Sequence, residues 1–229
     1  MAINVIPYLS LMGIIVTVAG DASVKVTQHP QAQTALRGEN VKFTCWAVNI
    51  QQSSYVTLYW WKQGESHYLN TKPDNKKIFD SKTFQLLNVS FQDSGVYLCA
   101  VVLQGKIAGN GTGSQLIVHV PPTPLKIFPR DSERDSSKSL TLVCETAEFY
   151  PGDVTLTWNK DGSEVKTGID LTEAKNSKGL YKASRSMEET QPVQSGAVYT
   201  CLVSHITLRI PVVAVYTVSE SNKGNLPIS

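Results

Sequence analysis

From Ser23 to Val120, apolar residues recur at every second position in short runs, with turn residues between them. This period-2 alternation predicts β-strands half-buried on one face, because successive side chains of a strand point to opposite sides. Val41, Phe43 and Cys45 share one face of the run that follows Gly38. Leu58 and Trp60 share the inner face of the next run, which by alternation turns Trp61 and Gln63 outward. Phe84, Leu86 and Val89 precede the compact run Asp93-Ser94-Gly95-Val96-Tyr97-Leu98-Cys99. Gly109-Asn110-Gly111-Thr112 then leads into Leu116, Ile117 and Val118 and reads as a bulged final strand. It precedes a strand rather than a helix, so it offers no helix N-terminus to a phosphate. Pro121-Pro122-Thr123-Pro124 reads as a stiff, extended linker. An all-β chain of two domains, 21–120 and 121–218, is expected, with a polar tail at 219–229.

One motif runs through the chain twice. Cys45, Trp60, Tyr97 and Cys99 form the first copy, and Cys144, Trp158, Tyr199 and Cys201 the second. The tandem pattern resembles the immunoglobulin superfamily and implies two immunoglobulin-like β-sandwiches. In that fold the cysteines cross-link the sheets, the tryptophan packs on the bridge, and the tyrosine hydroxyl ties the corner before the second cysteine. Trp60-Trp61-Lys62-Gln63, the run ending at Cys99 and the Gly109–Thr112 strand resemble a variable-type domain with a joining-segment-like last strand. The 38 residues between Trp60 and Cys99 leave room for the two extra edge strands of that type. Two features depart from the pattern. Leu116 comes late after Thr112, and no arginine is present to pair with Asp93 unless Lys76 or Lys77 takes its place. Phe149-Tyr150-Pro151-Gly152-Asp153-Val154 with Trp158, and the run from Val198 to His205, resemble a constant-type domain.

Four cysteines allow three pairings. The resemblance and the matched context imply Cys45–Cys99 and Cys144–Cys201, each worth about 2–5 kcal/mol in a small domain. Such bridges persist in an oxidising compartment. Apolar Ile3 to Ala19 agrees, reading as a signal peptide over 1–20 with Val18-Ala19-Gly20 as the cleavage context. No Lys or Arg stands near Met1, and the run is short for a membrane span of about 20 residues. The chain is therefore expected outside the cell, as a surface ectodomain or secreted form, held at a membrane only by an anchor this sequence does not contain.

The net charge is +2, with nine Lys/Arg against six Asp/Glu in 21–120 and twelve against thirteen beyond, so nothing favours nucleic acid as a partner. No CxxC motif or Cys/His cluster suggests a metal. No Ser/His/Asp spacing argues for a nucleophile and base, so neither catalytic residues nor a cofactor are expected. His205 stands where constant-type domains carry a structural histidine, whereas His29, His67 and His119 read as surface or strand-edge residues.

Recognition of a protein partner is the remaining expectation, including homo- or heterodimerisation through the variable-type domain. Trp61 is the sharpest candidate anchor, with Gln63 and Tyr68 beside it, unless Tyr68 covers the indole. The loop Val102 to Ala108 adds Leu103, Gln104, Lys106 and Ile107, and the loop Asn49 to Thr57 offers polar residues around Tyr55. Asn88-Val89-Ser90 and Asn110-Gly111-Thr112 are glycosylation sequons. Within the superfamily the chain resembles signal-regulatory proteins, or natural cytotoxicity triggering receptors and their costimulatory-type ligands. Antigen-receptor or antibody light chains and tapasin-like assembly factors share the domain order. Antigen-receptor chains normally keep a further cysteine for an interchain bridge, and this sequence has none.

Overall fold

The computed structural model describes residues 24–50, 55–72, 74–130, 140–166, 169–189 and 193–219. The expected leader, residues 51–54 of the first loop and the tail from 220 lie outside the described residues.

In the first domain, strands β1 (Lys25–His29), β2 (Ala32–Leu36), β3 (Val41–Val48) and β4 (Val56–Lys62) come first. They are followed by β5 (Lys77–Phe79), β6 (Thr83–Leu86), β7 (Gly95–Leu103), β8 (Lys106–Asn110) and β9 (Ser114–His119). One sheet runs β1-β3-β6-β5 and the other β2-β9-β7-β4, with β8 also paired to β7. β2 joins β9 in parallel, whereas the other pairings are antiparallel. The inward residues of both sheets form the core, including Phe43, Trp60, Phe84, Val101 and Leu116, each at most 1% exposed. Burying each such large side chain contributes roughly 1.5–3 kcal/mol. The Cys45–Cys99 bridge joins β3 to β7 and so crosses between the sheets. Tyr97 hydroxyl donates to the Asp93 carbonyl oxygen at 2.7 Å, as the motif implied.

Gln28, buried on β1, ties the sheets together. Its amide donates to the Tyr97 carbonyl oxygen at 2.7 Å and to the Ser114 hydroxyl at 2.9 Å, and its carbonyl oxygen accepts from Gly113 N–H at 3.3 Å. These bonds use both donors and one of the two acceptor positions of a buried amide, whose burial unpaired would be costly.

The segment between β4 and β5 corrects one expectation. No extra strand pairs with β4 on its outer edge among the described residues. A single 3₁₀ turn, Leu69–Thr71, lies there instead. Asn70 supplies what a neighbouring strand would, accepting from Trp60 N–H at 2.7 Å and donating to the Leu58 carbonyl oxygen at 3.3 Å. One amide side chain thus satisfies two groups of an otherwise open edge.

Lys76 takes the place of the missing arginine, its ammonium 2.5 Å from the Asp93 carboxylate. Ser90 N–H and hydroxyl donate to the same carboxylate oxygen at 2.6 and 2.8 Å. Burial alone would raise the Asp93 pKa, but Lys76 and Ser90 outweigh it and hold the carboxyl below its ordinary 3.8. Because the folded-state value is depressed, the stabilisation is complete above that ordinary value. It is lost as pH falls through the folded-state pKa. Asp93→Asn is expected to cost the first domain about 1–3 kcal/mol at pH 7. In urea titrations the gap between variant and wild type should be full at pH 7 and narrow at a pH below the ordinary 3.8. An equal gap at both pH values would refute the assignment.

The second domain consists of β10 (Lys126–Pro129), β11 (Leu140–Phe149), β12 (Val154–Lys160), β13 (Ser163–Glu164), β14 (Ile169–Lys175), β15 (Tyr181–Glu189), β16 (Val198–His205) and β17 (Val212–Thr217). Its sheets run β10-β11-β15-β14 and β13-β12-β16-β17, cross-linked by Cys144–Cys201. Trp158, Tyr199, Phe149 and Leu142 are fully buried between them. Tyr199 departs from the expected corner. Its hydroxyl meets the Glu189 carboxylate at 3.4 Å, and Glu189 also pairs with Lys160. His205 is structural, as expected. Its ring nitrogens contact the Thr207 hydroxyl at 2.7 Å and the Pro151 carbonyl oxygen at 2.9 Å.

The domains meet at a built joint. Val120 and Tyr150 exchange two backbone hydrogen bonds of 2.9 Å. The Tyr150 ring lies 5.1 Å from that of Phe91 and 6.3 Å from that of His119. His119, expected to be an isolated strand-edge residue, is therefore part of the joint. Burial and the neighbouring His205 hold its pKa below the usual histidine range.

A candidate interaction face on the first domain

Cross-strand register arranges the outer face of the β4-β7-β8-β9 sheet in rows. Trp61 lies opposite Leu98, and Tyr59 lies opposite Ala100, which pairs on its other side with Asn110. Thr57 lies opposite Val102, which pairs with Ile107. At the other end Val96 pairs with Gln115 and its carbonyl oxygen accepts from Gln63 N–H at 2.8 Å. None of these outward residues carries a charge. Lys62, the nearest lysine on β4, turns the other way, donating to the Gln92 carbonyl oxygen at 2.6 Å and standing 5.9 Å over the Tyr97 ring.

An aromatic group sits at the centre of the face. The Tyr68 ring lies 4.9 Å from that of Tyr59 and meets Trp61 edge-on at 5.9 Å. These geometries are favoured by the quadrupoles of the rings. Trp61 is consequently half-buried rather than bare, with Tyr68 holding the indole in place. Such a fixed aromatic loses little rotamer entropy when a partner covers it. Sequence reasoning misses Tyr59, although the alternation that turns Trp61 outward applies equally two residues earlier.

The segment 102–108 forms a hairpin rather than a loop, with Gln104-Gly105 as its two-residue turn between β7 and β8. Both turn residues have positive φ, 49° and 79°, as the tight hairpin turn matching strand twist requires. Leu103 packs against the first-domain core, so the structure removes it from the exposed tip. Gln104, Lys106 and Ile107 are exposed, Ile107 at 59%. The hairpin lies two rows from Trp61, roughly 14 Å along the strands at strand rise. The structure thus brings Trp61, Gln63 and Tyr68 together and sets the hairpin residues apart from them. Tyr55, immediately before β4, is 83% exposed.

Comparison with known proteins agrees with both sandwiches. The immunoglobulin domain family matches residues 31–105, and the immunoglobulin C1-set domain family matches residues 125–208. The chain belongs to the immunoglobulin superfamily. A viral T-cell receptor beta chain-like protein of feline leukemia virus is 28% identical over 180 residues, covering 66% of this chain and 55% of that protein. This superfamily chain thus spans about half the length of that curated relative. Among its described residues no helix is long and apolar enough to cross a membrane.

Proposed function

We propose that the chain is an exported, immune-type recognition protein whose first domain binds a protein partner. The contact is the uncharged face centred on Trp61 and Tyr68, with Gln63 at its rim and Tyr59 on its hairpin side. One observation carries this reading: an ordered aromatic cluster on a sheet face without a charged outward residue. Depletion of charge and enrichment in Tyr and Trp mark the cores of protein interfaces. The second domain acts mainly as a spacer. The sequence resemblance to signal-regulatory proteins and natural cytotoxicity triggering receptors favours a surface receptor or its ligand.

A second reading, an antigen-receptor-like subunit, is favoured by the similarity to the viral T-cell receptor beta chain-like protein. Both readings use the first domain, and they differ in whether the partner is another receptor chain or a surface ligand.

Trp61→Ala in the whole chain is expected to weaken binding to a partner captured from immune-cell surfaces by about 2 kcal/mol, roughly thirtyfold. Val215→Ser, which removes a 61%-exposed valine from the second domain, is expected to leave binding unchanged. Surface plasmon resonance on folded variants provides the measurement. Normal binding by Trp61→Ala together with loss in Val215→Ser would assign the contact to the wrong domain.

A further inference from the structure

We propose that Asn110 carries an N-linked glycan that covers the hairpin half of the uncharged face and leaves the Trp61–Gln63 half to the partner. The second clause rests on the function proposed above, whereas the first stands on its own.

Asn110 ends β8, is exposed, and begins the sequon Asn110-Gly111-Thr112. Its register partner Ala100 is an outward residue of β7, and the next residue in that row is Tyr59. Asn110 therefore shares the face with Tyr59, two strand spacings away, roughly 10 Å. Small Ala100 lies between them at 1% exposure.

The outward direction of Asn110 is fixed by the residue after it. Gly111 N–H donates to the Cys99 carbonyl oxygen at 2.8 Å. A Cβ on Gly111 would lie 2.2 Å from Gln28 Oε1 and 2.7 Å from Cys99 Sγ. The backbone is thus pressed against the disulfide at this point, and the chain cannot roll to bring Asn110 inward. A glycan leaving Asn110 has only the outer face and solvent to occupy, and the adjacent outward row is Val102–Ile107. A bulky, hydrophilic saccharide there would shield Ile107, the apolar side chain that the hairpin leaves most exposed.

Asn88 supplies an internal control. It also begins a sequon and is exposed, but it sits in the turn after β6, where its N–H donates to the Asn40 side chain at 2.8 Å. Its positive φ of 48° tolerates aspartate better than most residues, so Asn88→Asp removes that sequon with little strain.

The whole chain is expressed in a glycosylating secretory host, and Asn110 occupancy is read by peptide mapping. Hydroxyl-radical footprinting then compares wild type with Thr112→Ala and with wild type deglycosylated enzymatically after folding, so that no result depends on the variant folding. Tyr59 and Ile107 should oxidise about twofold faster or more without the glycan, with Trp61 little changed. Asn88→Asp should leave all three rates as in wild type. An unoccupied Asn110, or equal oxidation of Tyr59 and Ile107 with and without the glycan, overturns the assignment. If footprinting behaves as expected but removing the glycan does not open binding to partners that contact Ile107, only the confinement of the partner fails. Neither of the first two readouts involves a partner, so their failure is separate from that of Trp61→Ala.

Discussion

Gly111→Ala is expected to destabilise the first domain by about 3–5 kcal/mol, a large share of a typical domain's 5–15 kcal/mol. The added methyl has no free space: it would overlap Gln28 Oε1 at 2.2 Å and Cys99 Sγ at 2.7 Å. Overpacking a well-filled interior costs about 1–3 kcal/mol by itself. Displacing Gln28 adds the loss of bonds to Tyr97, Ser114 and Gly113, leaving buried polar groups unpaired at about 1–3 kcal/mol. Gly105→Ala separates this steric effect from backbone strain. Gly105 has φ +79° and a methyl added there would meet nothing within 4 Å, so only the left-handed backbone penalty of about 1–2 kcal/mol applies. Denaturant titration followed by amide exchange in first-domain peptides gives both numbers. If Gly111→Ala is no less stable than Gly105→Ala, the packing of β8 against the disulfide is not as described.

The strand alternation, the two-sandwich fold and the outward turn of Trp61 are legible in the sequence for a common reason. Each rests on local periodicity, or on a motif whose parts must be close in a sandwich. Val41-Phe43-Cys45 alternation and the Cys–Trp–Tyr–Cys spacing need no knowledge of long-range pairing. What escapes depends on partners far apart in sequence. Gln28 reads as an ordinary polar strand residue, and only the approach of β7 and β9 gives it three bonds. Asn70 reads as a turn residue, and its strand-like pairing with Leu58 and Trp60 arises from where the 3₁₀ turn docks. Leu103 reads as a loop-tip residue as long as Gln104-Gly105 is not seen as a two-residue turn. Once those residues are assigned to a hairpin, alternation from Cys99 and Val101 turns Leu103 inward. The Lys76 substitution is visible as one of two options, and choosing between neighbouring lysines requires the fold. Lys77 reaches Asp74 instead, at 2.5 Å.

Tyr150→Ala is expected to uncouple the two domains while leaving each folded. Interdomain motion is the default for small, polar contacts between domains. Here Val120 and Tyr150 are paired through their backbones, and Phe91, His119 and Tyr181 place rings within 5.1–6.4 Å of the Tyr150 ring. Truncation removes the ring contacts and keeps the backbone pair. The loss in coupling should be about 2–3 kcal/mol, combining part of a tyrosine's buried area with two aromatic contacts across the joint. Small-angle scattering of wild type at pH 7.5 should fit one fixed arrangement, and Tyr150→Ala should require an ensemble of orientations. His119 adds a pH dependence. Its folded-state pKa is depressed, so above the ordinary histidine value of 6.5 the ring is neutral whether the joint is closed or open. As pH falls below that value, the open form takes up the proton more readily than the closed one. Wild type at about pH 5.5 should therefore move towards the behaviour of Tyr150→Ala, and His119→Gln should remove that drift. The orientation of the Trp61 face relative to the second domain is set by this joint, so a loosened joint changes how the face is presented without changing the face itself. A scattering profile for Tyr150→Ala that superimposes on wild type would mean that the backbone pair alone fixes the domains, and that the rings contribute no orientation.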